Sequence, residues 1–280
     1  MKKWYVFCLV SLFGISLGYA ETGDSFSVAF ETSNYGYREP HMDGPMHLSG
    51  MMYGVSARLA SYSLLKDQLG LNKSFTALEA IYMTGKVDYD GYLQDSFGNI
   101  VAPFQEKGIN DWYIDVRALG GRRIDITKTW YLELFAGLGY RFLRDEQQKK
   151  SDMGYLRESN YIYAPLGLNL AWKTSDTFKI TASGEFDWLL EGTQKSDFGD
   201  ALLENTQREG WGVRASLKLE QDLGAVAVFV EPFYRYWKIQ NSDFDYYGIV
   251  DIGGGNYSYV GGIEPFNITR EYGVKIGIAF

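Results

Sequence analysis

Asn267-Ile268-Thr269-Arg270-Glu271-Tyr272-Gly273-Val274-Lys275-Ile276-Gly277-Ile278-Ala279-Phe280 is the stretch that decides the architecture. Tyr272, Val274, Ile276, Ile278 and Phe280 share one parity. Glu271, Gly273, Lys275, Gly277 and Ala279 share the other. A period of two means a strand with two unlike faces. One face is large and apolar, the other small or charged. Such a strand needs apolar surroundings on one side and polar surroundings on the other.

Working back from it, nine more segments carry strand character, near 25–37, 47–62, 75–92, 111–121, 129–144, 160–173, 178–188, 211–219 and 226–237. The clearest is the fifth. Trp130, Leu132, Leu134, Ala136, Leu138, Tyr140 and Phe142 line one face, and Glu133, Gly137, Gly139 and Arg141 the other. In the third, both parities are apolar between Leu78 and Met83, so its facing is left open, and a bulge there would explain the pattern. In the sixth, Gly167 and Asn169 put odd positions on the polar side, although Pro165 fits a strand interior poorly. Residues 93–108, 145–157, 189–206 and 241–266 read as long connections. Those after the fourth, sixth and eighth strands read as tight turns.

An alternating closing strand with a terminal Phe, an even strand number and connections sorted into short and long resembles the Gram-negative outer-membrane β-barrel family, porin-like and ten-stranded. The Tyr161–Gly167 string, with its Pro between apolar residues, resembles a strand of porin-like barrels. The resemblance implies an all-β antiparallel transmembrane barrel in the bacterial outer membrane with periplasmic termini. It implies that Tyr272, Ile276, Ile278 and Phe280 form the insertion signal read by the barrel-assembly machinery. It also implies a belt facing outer-membrane lipid and lipopolysaccharide. Trp130, Trp172, Phe178 and Phe280 would mark one interface, and Tyr37, Trp112, Trp188 and Trp211 the other.

The start of the chain fits that destination. Lys2 and Lys3 precede an apolar run from Trp4 to Leu17, with Gly18-Tyr19-Ala20 after it. This is the form of a signal peptide, too short for a membrane helix. Residues 1–20 are expected to be cleaved, leaving 21–280 as the barrel. Cleavage removes the single cysteine, Cys8, and with it any disulfide or thiolate site. It takes the net charge from -8 to about -10, which argues against nucleic-acid binding. A mean hydropathy of -0.22 would not mark a membrane protein, but a barrel hides its apolar residues in alternation.

On this phasing the inward acids are Glu31, Asp115, Glu133, Glu185, Asp187, Glu231 and Glu271, with the facing of Glu79 open. The inward bases are Arg58, Arg117, Arg141, Lys179, Arg214, Lys218, Arg235 and Lys275. Ten strands enclose a lumen close to the size side chains fill. Balanced charges there would pair across strands and leave little or no conductance. The leading expectation is a structural or surface-interacting barrel with an unidentified extracellular ligand. The alternative is a small passive porin, and a lipid A or peptide hydrolase comes third.

Asp88 and Asp90 resemble the acidic pair of the omptin proteases, but the connection after the seventh strand has no histidine to complete their Asp-His pair. His47-Leu48-Ser49 resembles the His-x-Ser of lipid A deacylase barrels, without the rest of that pattern. His47 is therefore expected to be an incidental rim residue, with His47 and Ser49 kept as the alternative catalytic pair. A non-enzyme is the leading expectation, and the enzyme question stays open. Asp243, Asp245 and Asp251 match no calcium loop, and Gly253-Gly254-Gly255 is followed by no Lys-Ser/Thr. No cofactor and no metal is expected.

Overall fold

Ladder pairing carries the chain from Ser25 round to Ala279 and back onto its own first strand. The computed structural model describes residues 24–40, 46–62, 72–94, 99–152, 154–199, 202–253 and 256–280. Their strands are β1 (Ser25–Glu39), β2 (Met46–Tyr62), β3 (Asn72–Gln94), β4 (Ile100–Asp125), β5 (Trp130–Glu146), β6 (Leu156–Lys173), β7 (Phe178–Asp197), β8 (Leu202–Gln207), β9 (Gly210–Asp222), β10 (Ala227–Ile239), β11 (Asp245–Gly253), β12 (Asn256–Gly262) and β13 (Asn267–Ala279). Every pairing is antiparallel.

Each of β1 to β6 pairs with the next, β6 pairs with β7, and β13 lies between β1 and β10. β8 and β9 share one position in the wall. β9 pairs with the lower part of β7, Phe178 to Trp188, and β8 with the upper part, Gly192 to Asp197. The result is a closed ten-position barrel. β11 and β12 form a separate hairpin in the last long connection.

Alternation gives the wall its two faces. Phe30 is 52% exposed and the next residue, Glu31, is fully buried. Val55, Leu134, Leu166, Phe186, Val230 and Ile276 are exposed in the same way, forming an apolar outer belt. The tight turns, residues 126–129, 174–177 and 223–226, gather at one end with both ends of the barrel sequence. There Phe280 donates its backbone N–H to Phe26 at 2.8 Å, and the two rings stack. Trp130 and Trp172 stack at the same end, 5.2 Å between centroids.

Four readings are corrected. Residues 100–108 are not a loop but the start of β4, paired with Tyr89 to Gln94. The alternation breaks at Gly108, whose φ of 69° sits in a bulge opposite Asp88, so the pattern on either side is out of phase. Residues 189–206 hold the end of β7 and all of β8. A slip between Ile162 and Tyr163, opposite Leu189 and Glu191, moves the inward positions of β7 from odd to even. The bulge that would explain the pattern from Leu78 to Met83 is absent: registers with β2 and β4 run unbroken there. Both parities are apolar because Ile81 and Met83 fill the lumen while Leu78 and Tyr82 face outward. Tyr37 is not an interface aromatic; it is buried inside.

Pro165 is accommodated by a gap. The β5–β6 register passes from Ala136↔Leu166 to Gly139↔Tyr163, and the ladder is interrupted where the proline has no N–H to give. Residues 1–20, His41, the connection 63–71 and Gly254-Gly255 lie outside the described residues.

Candidate functional site

Inward parity brings the charged side chains into one lumen, in layers. In the lowest, Arg58 Nε donates to Glu79 at 2.9 Å, and Arg117 bridges Glu79 and Glu185. Lys179 and Lys218 converge on Glu220. Lys275 lies 3.6 Å from Glu231 and 3.7 Å from Glu31, and Glu133 accepts from Asn169 at 3.0 Å. This layer surrounds a vestibule of about 450 Å³ that opens at the tight-turn end, past Asp222 and Phe280.

The middle layer is tighter. Arg214 donates to Asp187 at 2.8 Å and Asp115 at 2.7 Å, and lies 3.2 Å from Glu185. The Tyr163 hydroxyl donates to Asp115 at 2.6 Å. Arg235 reaches Glu31 at 2.7 Å and Glu271 at 3.4 Å. Glu271 also accepts from Ser33 at 2.7 Å and from Tyr113. Arg141 lies 3.9 Å from Asp115 and over the Tyr113 ring. Each of these charges is held by partners from other strands, as burial of a charge requires.

Above these clusters buried apolar side chains fill most of the lumen, with Asp111, Asp145 and Arg157 among them. Tyr35, Leu48, Met52, Ile81, Met83, Val87 and Ile109 form one buried cluster, and Tyr161, Tyr163, Leu189, Trp237 and Ile239 another. The void between Tyr35, Asp111, Arg141 and Trp237 is about 20 Å³, room for little more than one water. At the loop end, Tyr37 lies between two carboxyls, Glu39 at 2.8 Å and Glu264 at 2.9 Å, with Arg157 beside them. Glu264 is in the connection before β13, beyond the spanning strands. Burial raises its carboxyl above the usual range against the pull of Arg157.

The fifteen residues expected in the lumen are thus placed there. Glu79 joins them. Sequence reading missed Glu220, Tyr113, Tyr163, Arg157, Glu39 and Glu264, although inward parity marked several of them. The apolar plug was missed for a different reason: an apolar residue on the inner face looks like noise in a polar stripe.

His47 and Ser49 stand elsewhere, exposed on the outer face of β2 near its loop end. Across the wall, His47 lies opposite Arg38 on β1 and Asp90 on β3, and Ser49 opposite Gly36 and Asp88. Asp88 accepts from the Gly108 N–H at 2.9 Å, and Asp90 from Gln105 at 3.1 Å. A groove of about 540 Å³ lies over these residues, with Arg270 of β13 at its far side. In the last connection, Asp243 pairs with Arg208 at 3.1 Å and Asp245 accepts from the Glu204 N–H. Among the described residues there is no cluster of three metal-ligating side chains.

No family model matches this chain. No curated protein matches it. Solved structures do. The outer membrane protease OmpT from Escherichia coli aligns with a TM-score of 0.59 at 9% identity, over 92% of this chain and 96% of that one. The translocator domain of the autotransporter NalP from Neisseria meningitidis aligns at 0.39 and 12% identity, over 91% and 88%. Neisserial surface protein A aligns at 0.30 and 11%, over 92% and 97%. At 9% identity the likeness to the protease is one of fold.

Proposed function

We propose, taking a Gram-negative outer-membrane β-barrel as the premise, that this protein is a non-conducting barrel that holds an assembly of strands and loops at the cell surface as an interaction platform. The observation that carries this reading is the filled lumen. Ions entering the vestibule from the tight-turn end meet the Arg214 and Arg235 clusters, then a layer of buried aromatic and aliphatic side chains. A conducting barrel needs a continuous wetted path.

The platform is supported by what stands above the belt. The ends of β3 and β4 extend beyond the Gly108 bulge. β8 packs against the last connection, with Asn205 donating to the Asp243 and Gly262 carbonyls at 3.0 Å. Phe244, Tyr246, Leu202 and Ile263 remain exposed there, an apolar surface fit for an extracellular ligand. In this orientation the termini and tight turns are periplasmic. The belt meets outer-membrane lipid and lipopolysaccharide, and the assembly machinery reads Tyr272, Ile276, Ile278 and Phe280.

The vestibule favours the second reading, a small porin. Planar-bilayer recording separates the two. The expected result is no steady channel; large, steady single channels would overturn the proposal. Peptidase action finds no support, because Asp88 and Asp90 lie on the outer wall and residues 198–209 contain no histidine.

A further inference from the structure

The vestibule holds two charges that its own ion pairs do not balance. Glu133 is 5% exposed, and its partner is an amide, Asn169, at 3.0 Å. Arg123 stands directly opposite it on β4, yet turns to Asp125 at 2.8 Å and lies over the Tyr131 ring. Among the described residues Glu133 forms no ion pair. A buried charge without a counter-charge is costly. On the neighbouring wall the sign is reversed. Lys179 and Lys218 share one carboxylate, Glu220, which leaves one positive charge over. Register explains the convergence. Glu220 is opposite Lys179 and Lys218 is opposite Thr181, so all three enter the lumen from β7 and β9.

An aromatic ring flanks each end. Phe135 follows Glu133 by two on the inner face of β5, and Phe229 is opposite Glu220, with the Lys218 ammonium 4.6 Å from its ring centroid. Both rings lie against glycines of the next strand, Gly167 and Gly277, where a Cβ would overlap them. They therefore hug the wall and leave the lumen open. The space, about 450 Å³, is of the size that small-ligand sites occupy. Register also sets the span between the ends. Glu133 and Lys179 are two strands and four residues apart, through Asn169 and Ser183. At about 4.8 Å per strand and about 3.3 Å per residue, their backbones are about 16 Å apart along the wall. Both ammonium groups turn to Glu220, so the two ends suit an elongated ligand better than a compact one.

We propose that the vestibule binds a small elongated zwitterion, with an ammonium at one end, a carboxylate at the other and an apolar middle. The ammonium pairs with Glu133. The carboxylate joins Lys179 and Lys218. The middle lies along Phe135 and Phe229. Charge-assisted hydrogen bonds at both ends fix its orientation. Free short peptides and ω-amino acids share this chemistry. In the orientation given above the mouth faces the periplasm, so the ligand is a periplasmic solute. The site itself needs only the vestibule, and a conducting barrel would leave it standing.

The test titrates the full chain, folded in detergent, by calorimetry at low salt. Two probes are used, alanyl-phenylalanyl-alanine and ε-aminocaproate, and the tighter identifies the source of the ligand. One molecule is expected per barrel. Acetylating the amine, or converting the carboxylate to its amide, should each weaken binding roughly tenfold or more, because each removes a hydrogen bond to a charged group. Free alanine, a compact zwitterion, should bind no better than the blocked probes. Glu133→Gln should lower the affinity of the free probe to that of its acetylated form and leave the acetylated form unchanged. Lys179→Met/Lys218→Met should abolish the preference for carboxylate over amide. Mobility on semi-native gels checks that the variants fold, and the blocked probes test the site on wild type alone. Binding of neither probe, equal binding of free and blocked forms, or a folded Glu133→Gln barrel that still prefers the free amine would overturn the proposal.

Discussion

Arg235 of β10 reaches Glu31 of β1 at 2.7 Å, passing over β13, the strand that lies between them. Both are buried. The pair joins the two strands that flank the closing one, so the seam of the barrel is fastened from inside. Truncation of one partner leaves the other charge buried and undercompensated. Arg235→Met is expected to cost about 3–5 kcal/mol. The drop would appear as a lower temperature at which the barrel loses its folded mobility on semi-native gels. The double variant Arg235→Met/Glu31→Gln should recover part of the loss, since it removes both charges.

Tyr163 lies across Gly139 of the facing strand, and a Cβ at Gly139 would overlap its ring. The same tyrosine holds Asp115 and meets Arg214. Gly139→Ala should therefore displace the ring and loosen that cluster, at about 1–3 kcal/mol. Urea titration in detergent micelles checks it. Gly184→Ala, where a Cβ meets nothing within 4 Å, is the control and should be nearly silent.

Ile276 is 58% exposed on the outer belt, level with Phe30 and Val230 on its two neighbouring strands. If hydrocarbon is the solvent there, Ile276→Arg should cost roughly 2–4 kcal/mol near the midplane. Leu202→Arg, on the exposed β8, should cost almost nothing. Reversible folding into lipid vesicles would measure both. Equal tolerance at the two positions would deny a lipid-facing belt.

Tyr37 has one hydroxyl proton and two carboxyl neighbours, Glu39 and Glu264. The arrangement is one proton short when both acids are ionised. The raised folded-state pKa of Glu264 gives the sign. Its contribution to stability is complete below the ordinary glutamate value and is lost as pH rises through the raised one. The last connection should therefore resist proteolysis better in mild acid than at alkaline pH. Glu264→Gln should flatten that dependence, and a flat wild-type profile would count against the shared proton.

Much of the wall was legible because a strand between two unlike solvents writes its period directly into the chain. Tyr272 to Phe280 and Trp130 to Phe142 needed no structure to be assigned a face. Legibility failed where one residue shifted the phase, at the Gly108 bulge and at the slip beside Tyr163. It failed again at Ile81 and Met83, where both solvents were replaced by side chains. The lumen charges were readable as a set, but not their partners: Glu31 and Arg235 are 204 residues apart.

The outer-wall cluster shows the same division. His47 and Ser49 were visible as a pair two apart, and Asp88 and Asp90 as another. That they face each other depends on the register of β2 with β3, which is a long-range property.

Local alternation, set by the two-residue repeat of the extended chain, determined that this protein is an all-β barrel with a polar interior and an apolar exterior. Only the tertiary structure decided which inward residues meet, where the lumen closes, and that an acid stands opposite His47. Those depend on cross-strand register, and register is fixed by packing around the whole closed ring rather than by any single strand.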